Sequence, residues 1–406
     1  MGMMNEDSIY AELGVPRVIN ATGTKTRIGG SRIRPEAVEA MSRAAAEFAR
    51  ISDLQACAST LIGECTNADA GYITSGASAA MLLGAAACLA RDDLGVMARL
   101  PDTGGIPNEI VMPRTHRTGY DHALRAAGAT IVDVGTNDHH LGTGSANVEP
   151  WEIEDAITDD TAAIGYVQKE YTTPPLEVVT DIARSFDVPV IVDAAAELPP
   201  RRNLTRFIDA GADLVVFSGG KAIRGPQSTG ILAGRADLIE SAALQHLDMH
   251  AASEVWEPPA ELIDRGALDG VPRQGIGRSL KVGKEELVGL IRALELFIDE
   301  DEAALEREWN ARVDRITARL DSLDGVTYEV TGGQKVAVAP EIVVTVDGTR
   351  TATSLVANLR RETPRVFVGA DSLDDSAFTI NPMCLTDDEA DYVAERLTEH
   401  LSSPRS

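Results

Sequence analysis

Lys221 stands in the segment VVFSGGKAIRGPQSTGIL, directly behind the apolar run Asp213–Phe217. A lysine held by two glycines at the end of a buried strand is placed to form a Schiff base with an aldehyde. Such a lysine must act as the neutral amine, a form that burial favours. A second segment, VPVIVDAAAELPP, brings an earlier strand to its end at Asp193. A carboxylate there can hold a protonated pyridine nitrogen, so Lys221 and Asp193 together point to pyridoxal 5'-phosphate chemistry. Glycine-flanked lysines also occur in ordinary turns, and scarcity sharpens the reading. The 406 residues include six lysines: Lys25, Lys169, Lys221, Lys281, Lys284 and Lys335.

Three further segments carry polar groups. In YITSGASAAMLLGAAACLA a strand runs into Ser75, Gly76, Ala77 and Ser78 at the head of an apolar helix. The N–H groups of a helix N-terminus suit an anion such as the cofactor phosphate. Capping by Ser75 or Ser78 is the plain alternative. Ser218, three residues before Lys221, can donate to the same phosphate. THRTGYDHAL follows with His116, Tyr120 and His122. His116, in a loop at a strand's end, is the candidate to stack on the pyridine ring and to move protons; His122 reads as a solvated or capping helix residue. His139 and His140 read as loop, and with no further ligands arranged around them no metal site is expected. Finally, VPRQGIGRSLKVGKEELVGL gathers Arg273, Arg278, Lys281 and Lys284 within twelve positions. Arg278 and Lys281 suit a substrate carboxylate or phosphate, through the fork of one and the point charge of the other. Arg273 and Lys284 read as a solvated face.

The elements that must position these groups are legible as alternating patterns. Strands are expected at Gly71–Thr74, Ile110–Met112, Thr130–Val134, Ala162–Val167, Val188–Val192, Leu214–Phe217 and Gly230–Ala233, with helices at Ala77–Leu89, Tyr120–Ala127, Pro175–Phe186 and Leu204–Ala210. Such alternation implies an α/β unit with a mostly parallel sheet covered on both faces, and ligands at the carboxyl ends of its strands. Asp193, Ser218 and Lys221 all fall just past strand ends, on one rim. Residues 236–280 read as an irregular connection. A long helix, about Lys284–Leu323 and broken near Phe297–Glu302, leads into a small α+β domain. The expected organisation is an N-terminal segment 1–50 packing on the active site and small domain, a large cofactor-binding domain 51–280, and the linking helix with the small domain in 281–406.

Composition narrows the setting. The net charge is −26, from 63 acidic against 37 basic residues. No broad basic face can be built from so few cations, which argues against a nucleic-acid partner. Abundant carboxylates with so little lysine fit a protein kept soluble in concentrated salt, and a halophilic cytoplasm is expected. Cys57, Cys65, Cys88 and Cys384 form no CxxC pair and read as reduced core thiols. The N-terminus lacks a signal-peptide pattern. The most apolar stretch, Ala79–Ala90, falls short of the roughly 20 residues that a bilayer requires.

The segments VINATGTKTRIGGS (18–31), ITSGASAAM (73–81), VDAAAELPP (192–200), FSGGKAIRGPQSTGIL (217–232) and GRSLKVGKEELVGL (277–290) resemble fold-type I pyridoxal phosphate enzymes of the selenium-transferase-like group. That group includes L-seryl-tRNA selenium transferase and D-glucosaminate-6-phosphate ammonia-lyases. The resemblance implies a seven-stranded large domain, with Lys221 as Schiff-base lysine and Asp193 as pyridinium partner. It places Ser75, Gly76, Ala77 and Ser218 near the phosphate, and Arg278 and Lys281 at an anion site. It also implies a homodimer or larger homo-oligomer with interfacial active sites. Little sequence precedes INATG, so a separate tRNA-binding domain is not expected, and ITSGASAAM and VDAAAELPP look more like the ammonia-lyase branch. The activity implied is α,β-elimination of a 2-amino-3-hydroxy acid, such as D-glucosaminate or its phosphate, to a 2-keto-3-deoxy acid and ammonia. Aldolase, racemase, transaminase or selenium/sulfur-transfer chemistry, or a non-catalytic binding role on the same fold, are the alternatives.

Overall fold

The computed structural model describes residues 8–136, 148–169, 172–247, 252–332, 339–347 and 351–402. The chain falls into two compact units, Met1–Arg32 with Glu300–Ser406, and Ile33–Asp299. In the larger unit, seven strands form one sheet in the order Ala70–Thr74, Gly230–Gly234, Leu214–Ser218, Val190–Asp193, Thr161–Val167, Glu109–Pro113, Thr130–Val134. Gly230–Gly234 runs antiparallel to both its neighbours and the other pairings are parallel. This is the mostly parallel α/β sheet expected from the alternating pattern.

Alternate residues of each strand feed two cores, which is why the strands read as continuous apolar runs. Leu214 and Val216 enter one core with the helices Ala77–Ala90 and Ala236–His246. Val215 and Phe217 enter the other with Ile51–Thr66, Leu176–Ser185 and Lys284–Ile298. Ala77–Ala90 has no polar face. Eleven of its residues are buried, and at Gly84 an added Cβ would lie 3.3 Å from Leu214 and 3.4 Å from Leu232. Small residues thus let this helix settle close on the strands and aim its N-terminus at the sheet's carboxyl rim.

Residues 236–280 are not wholly irregular. Ala236–His246 is a helix, nearly all of it buried, so the amphipathic stripe that would have marked it is missing. The long helix does break as expected, into Lys284–Ile298 and Glu302–Leu320. Asp301 caps the second piece, accepting from the Ala304 N–H at 3.1 Å. Lys284 is not a solvated cation. Its Nζ donates to the carbonyls of Ala44 (2.9 Å) and Ala45 (3.4 Å) and pairs with Glu285, closing the C-terminus of the helix Pro35–Ala45.

The smaller unit has an antiparallel sheet of Val326–Thr331, Glu341–Val346 and Ala377–Ile380, and a parallel pair of Val18–Ala21 with Arg365–Val368. Glu389, only 2% exposed, is held there by Arg32 at 2.6 Å and Arg17 at 3.1 Å. The thiols differ from expectation. Cys88 alone is buried, Cys65 and Cys384 are half-buried, and Cys57 is exposed on the outer side of its helix. No helix among the described residues is long and apolar enough to cross a membrane.

Candidate active site

Three adjacent strands bring Ser218, Gly230 and Thr74 into one row. Ser218 registers with Gly230, and Gly230 with Thr74. On the next strand Asp193 registers with Val216, two residues before Ser218. The polar groups read from the sequence are therefore neighbours along the carboxyl rim.

At one end of the row the chain turns through Ser75 and Gly76 into the helix Ala77–Ala90. Gly76 has φ +110°, which a side chain would resist, and no side chain caps the helix. The capping alternative for Ser75 and Ser78 thus fails; Ser75 is half-buried and Ser78 exposed. The Thr74 hydroxyl instead ties the turn down, donating to the carbonyls of Gly76 (3.0 Å) and Gly230 (3.3 Å). Gly230 provides the seat. A Cβ there would lie 2.3 Å from the Gly76 carbonyl carbon and 2.5 Å from the Ala77 nitrogen. Uncapped N–H groups at a helix N-terminus, pinned to the rim, fit a phosphate.

Lys221 lies three residues past Ser218, in the turn leaving that strand, and is half-buried. The glycines before it are forced by packing. A Cβ on Gly219 would strike Thr229 Oγ1 at 2.2 Å, and one on Gly220 the Gln227 Cα at 2.5 Å. Asp193 uses one oxygen, Oδ1, to accept the Ala195 N–H at 3.0 Å. No other described residue donates to this carboxylate, which leaves an acceptor for a cationic ring nitrogen. Lysine, aspartate and phosphate seat together fit pyridoxal phosphate.

His116 is just 1% exposed. Its Nε2 donates to the Thr173 carbonyl (3.2 Å), its Nδ1 accepts from the Val167 N–H (3.4 Å), and its ring stands edge-on to Tyr166 at 4.7 Å. Burial holds it neutral, pushing its pKa down to about 4 against the opposing Thr173 hydrogen bond. Both ring nitrogens are committed to backbone, so His116 anchors the end of the strand Thr161–Val167 rather than exchanging protons. Tyr120 and His122 lie in or beside the short helix His122–Ala126. His139 and His140 lie outside the described residues. Arg278 is half-buried on the 3-10 turn Ile276–Leu280, and Lys281, just beyond it, is exposed. The turn packs on the end of the helix Ala236–His246, with Gly277 closing on the Gln245 carbonyl and His246 Cα. Arg278 and Lys281 thus ride on a separate packed turn, not on a strand end.

A family model described as aminotransferase class-V matches residues 121–363. The chain belongs to that family. D-glucosaminate-6-phosphate ammonia lyase of Salmonella typhimurium is 30% identical over 97% of this chain and 97% of its own. A solved structure of D-glucosaminate-6-phosphate ammonia-lyase, 29% identical, superposes with a TM-score of 0.78 over 98% of this chain and 99% of that one. A 5'-C-glycyluridine monooxygenase-decarboxylase from Streptomyces sp is likewise 30% identical, over 97% of this chain and 92% of its own. An L-seryl-tRNA(Sec) selenium transferase from Nitratidesulfovibrio vulgaris is 24% identical over 95% and 82%. The class-V member described here is an enzyme of aminotransferase-like fold type I.

The sequence did not single out Thr74, Gly230 or Glu197. Glu197 could have been found, because a carboxylate four residues after Asp193 and inside an apolar run is one that folding must bury.

Proposed function

We propose that this enzyme is a pyridoxal-phosphate-dependent lyase that removes the C3 hydroxyl and the amine from an amino-sugar acid, giving a 2-keto-3-deoxy acid and ammonia. The observation that carries this reading is the convergence of Lys221, Asp193 and the uncapped helix N-terminus at Gly76 on one sheet rim. When bound, the cofactor supplies an electron sink for the pair released at Cα. Lys221 Nζ is the group that takes the Cα proton. Asp193 keeps the ring nitrogen protonated. The N–H groups at Gly76, Ala77 and Ser78, with the Ser75 and Ser218 hydroxyls, hold the phosphate, while His116 braces the wall beside them. Arg278, assisted by Lys281, holds the substrate's carboxylate or distal phosphate. The amino-sugar acid is favoured because the Salmonella relative, named for D-glucosaminate-6-phosphate, matches across nearly the whole chain.

Borohydride reduction of the purified enzyme followed by peptide mass mapping tests the cofactor assignment. A pyridoxyl adduct on Lys221, absent in Lys221→Ala, is expected together with ammonia release from D-glucosaminate or its 6-phosphate. An unmodified Lys221 at saturating pyridoxal phosphate would sink the assignment. The Streptomyces relative, at the same identity, favours a second reading, oxidative decarboxylation. Substrate-dependent oxygen uptake with carbon dioxide release, in place of ammonia, would select it.

A second copy of this chain is the proposed partner. Ile9, Tyr10, Leu13 and Val15 are at least half exposed around a helix that buries none of its residues, and Phe48 is fully exposed. Sedimentation equilibrium returning a monomer would refute that. The acidic composition supports a high-salt cytoplasm as the setting.

A further inference from the structure

Glu197 occupies the turn that leaves the carboxyl end of Val190–Asp193, and its place there is fixed from several sides. The Ala194 N–H donates to the Val216 carbonyl (3.0 Å) and the Glu197 N–H to the Ala194 carbonyl (3.0 Å). Asn203, itself 1% exposed, donates through Nδ2 to the Glu197 carbonyl at 2.6 Å. The side chain so positioned is 7% exposed. No described residue donates a hydrogen bond to its carboxylate, so the acid is not tied up by a protein partner. Among the described residues, the charges that act on it are those of Lys169, past the end of the neighbouring strand, Arg206 on the helix Asn203–Asp209, Asp193, and Lys221. Burial raises its pKa, Asp193 pushes the same way, and the three cations oppose them without prevailing. Glu197 therefore keeps its proton at pH values where an exposed carboxylate has lost it.

We propose that Glu197 is the acid partner of Lys221, delivering the proton that lets the substrate's C3 hydroxyl leave. This assignment rests on the lyase reading above. Lys221 Nζ takes the Cα proton, and the electron pair left behind becomes the second bond between Cα and C3. The C3–O bond breaks with its pair on oxygen, and the Glu197 carboxyl protonates that oxygen, so water departs. The Glu197 carboxylate then recovers a proton from the Lys221 ammonium. One water is lost and no oxidation state needs an outside reagent. His116, with both ring nitrogens bound to backbone, has no proton to offer in this step.

The test is Glu197→Gln, which keeps the shape and removes the acid. Borohydride trapping at Lys221 and the melting temperature should match wild type, while kcat on the 3-hydroxy substrate should fall at least about a hundredfold, the usual contribution of a positioned acid. The limb of the kcat profile that falls as pH rises, where the acid is lost, should disappear. A 3-chloro analogue, whose leaving group needs no proton, should be turned over by the variant at close to the wild-type rate. Wild-type kcat on the hydroxy substrate, an unchanged basic limb, or equal loss on both substrates would each overturn the proposal. If wild type itself releases ammonia from neither substrate, the lyase reading has failed and this assignment falls with it. If trapping at Lys221 is lost in the variant alone, Glu197 is structural.

Discussion

Gly230→Ala is the sharpest probe of the phosphate seat, because the damage it should do is steric and local. Its φ lies outside the left-handed region, so alanine meets no backbone strain of its own. The new Cβ would instead lie 2.3 Å from the Gly76 carbonyl carbon, 2.5 Å from the Ala77 nitrogen and 2.6 Å from the Gly76 oxygen. All three are backbone atoms, and ordinary contact begins at 3.4 Å, so the turn must retreat by about 1.1 Å. Overpacking of this kind costs about 1–3 kcal/mol of stability. A displacement that size also breaks charge-assisted hydrogen bonds from the helix N–H groups to a phosphate. Losing one such bond, about 1.5–3 kcal/mol, weakens binding roughly tenfold to 150-fold. The assay is titration of apoenzyme with pyridoxal phosphate, followed by absorbance and compared with pyridoxal. The variant should lose affinity for the phosphorylated form and little for the other. Gly270→Ala, where an added Cβ meets nothing within 4 Å, is the control. Wild-type affinity for pyridoxal phosphate in Gly230→Ala would refute the placement of the phosphate at this turn.

Arg278→Ala should raise KM about tenfold or more and leave cofactor affinity intact, as loss of one charge-assisted contact to the substrate predicts; unchanged kcat/KM would make the turn structural. Glu389 should make stability acid-sensitive: burial pushes its carboxyl up, but the Arg32 hydrogen bond, the Thr386 backbone and the charges of Arg32 and Arg17 outweigh burial and hold it below its ordinary value. Its contribution is therefore full above the unfolded value of about 4.3 and lost as pH falls beneath it, so Glu389→Gln should lower Tm at neutral pH and flatten its fall in acid; a parallel pH dependence in both proteins would refute this. Screening of the −26 net charge should raise Tm from low to molar KCl, and a falling Tm would mean that the surface ion pairs outweigh net repulsion.

The parts of the fold that were legible are those in which one local rule governs. The strands at the rim are apolar runs that end on Asp193 and Ser218, and the break between Ile298 and Glu302 carries its own cap in Asp301. The illegible parts depend on partners far away in the chain. Ala236–His246 is buried on nearly all sides and so shows no stripe. Lys284 looked solvated because the carbonyls it closes belong to residues 240 positions earlier. His116 looked reactive because its commitments, to Thr173 and Val167, lie on a different strand and loop. Gly230 is a plain strand glycine until the turn at Gly76 is laid against it.

Two relatives at the same identity carry names for different reactions, one losing ammonia and the other using oxygen and losing carbon dioxide. A lysine that takes a Cα proton and an aspartate that holds a ring nitrogen serve pyridoxal chemistry in general, so this pair cannot by itself choose between such outcomes. The choice has to come from groups that meet the substrate beyond the cofactor. In this chain Glu197, buried in the turn just past Asp193, feels the charges of both Asp193 and Lys221. An acid in that position favours departure of a hydroxyl over any path in which the leaving fragment needs no proton. On the proposed assignment the reaction is decided less by Lys221 and Asp193, which were conspicuous in the sequence, than by Glu197, which was not.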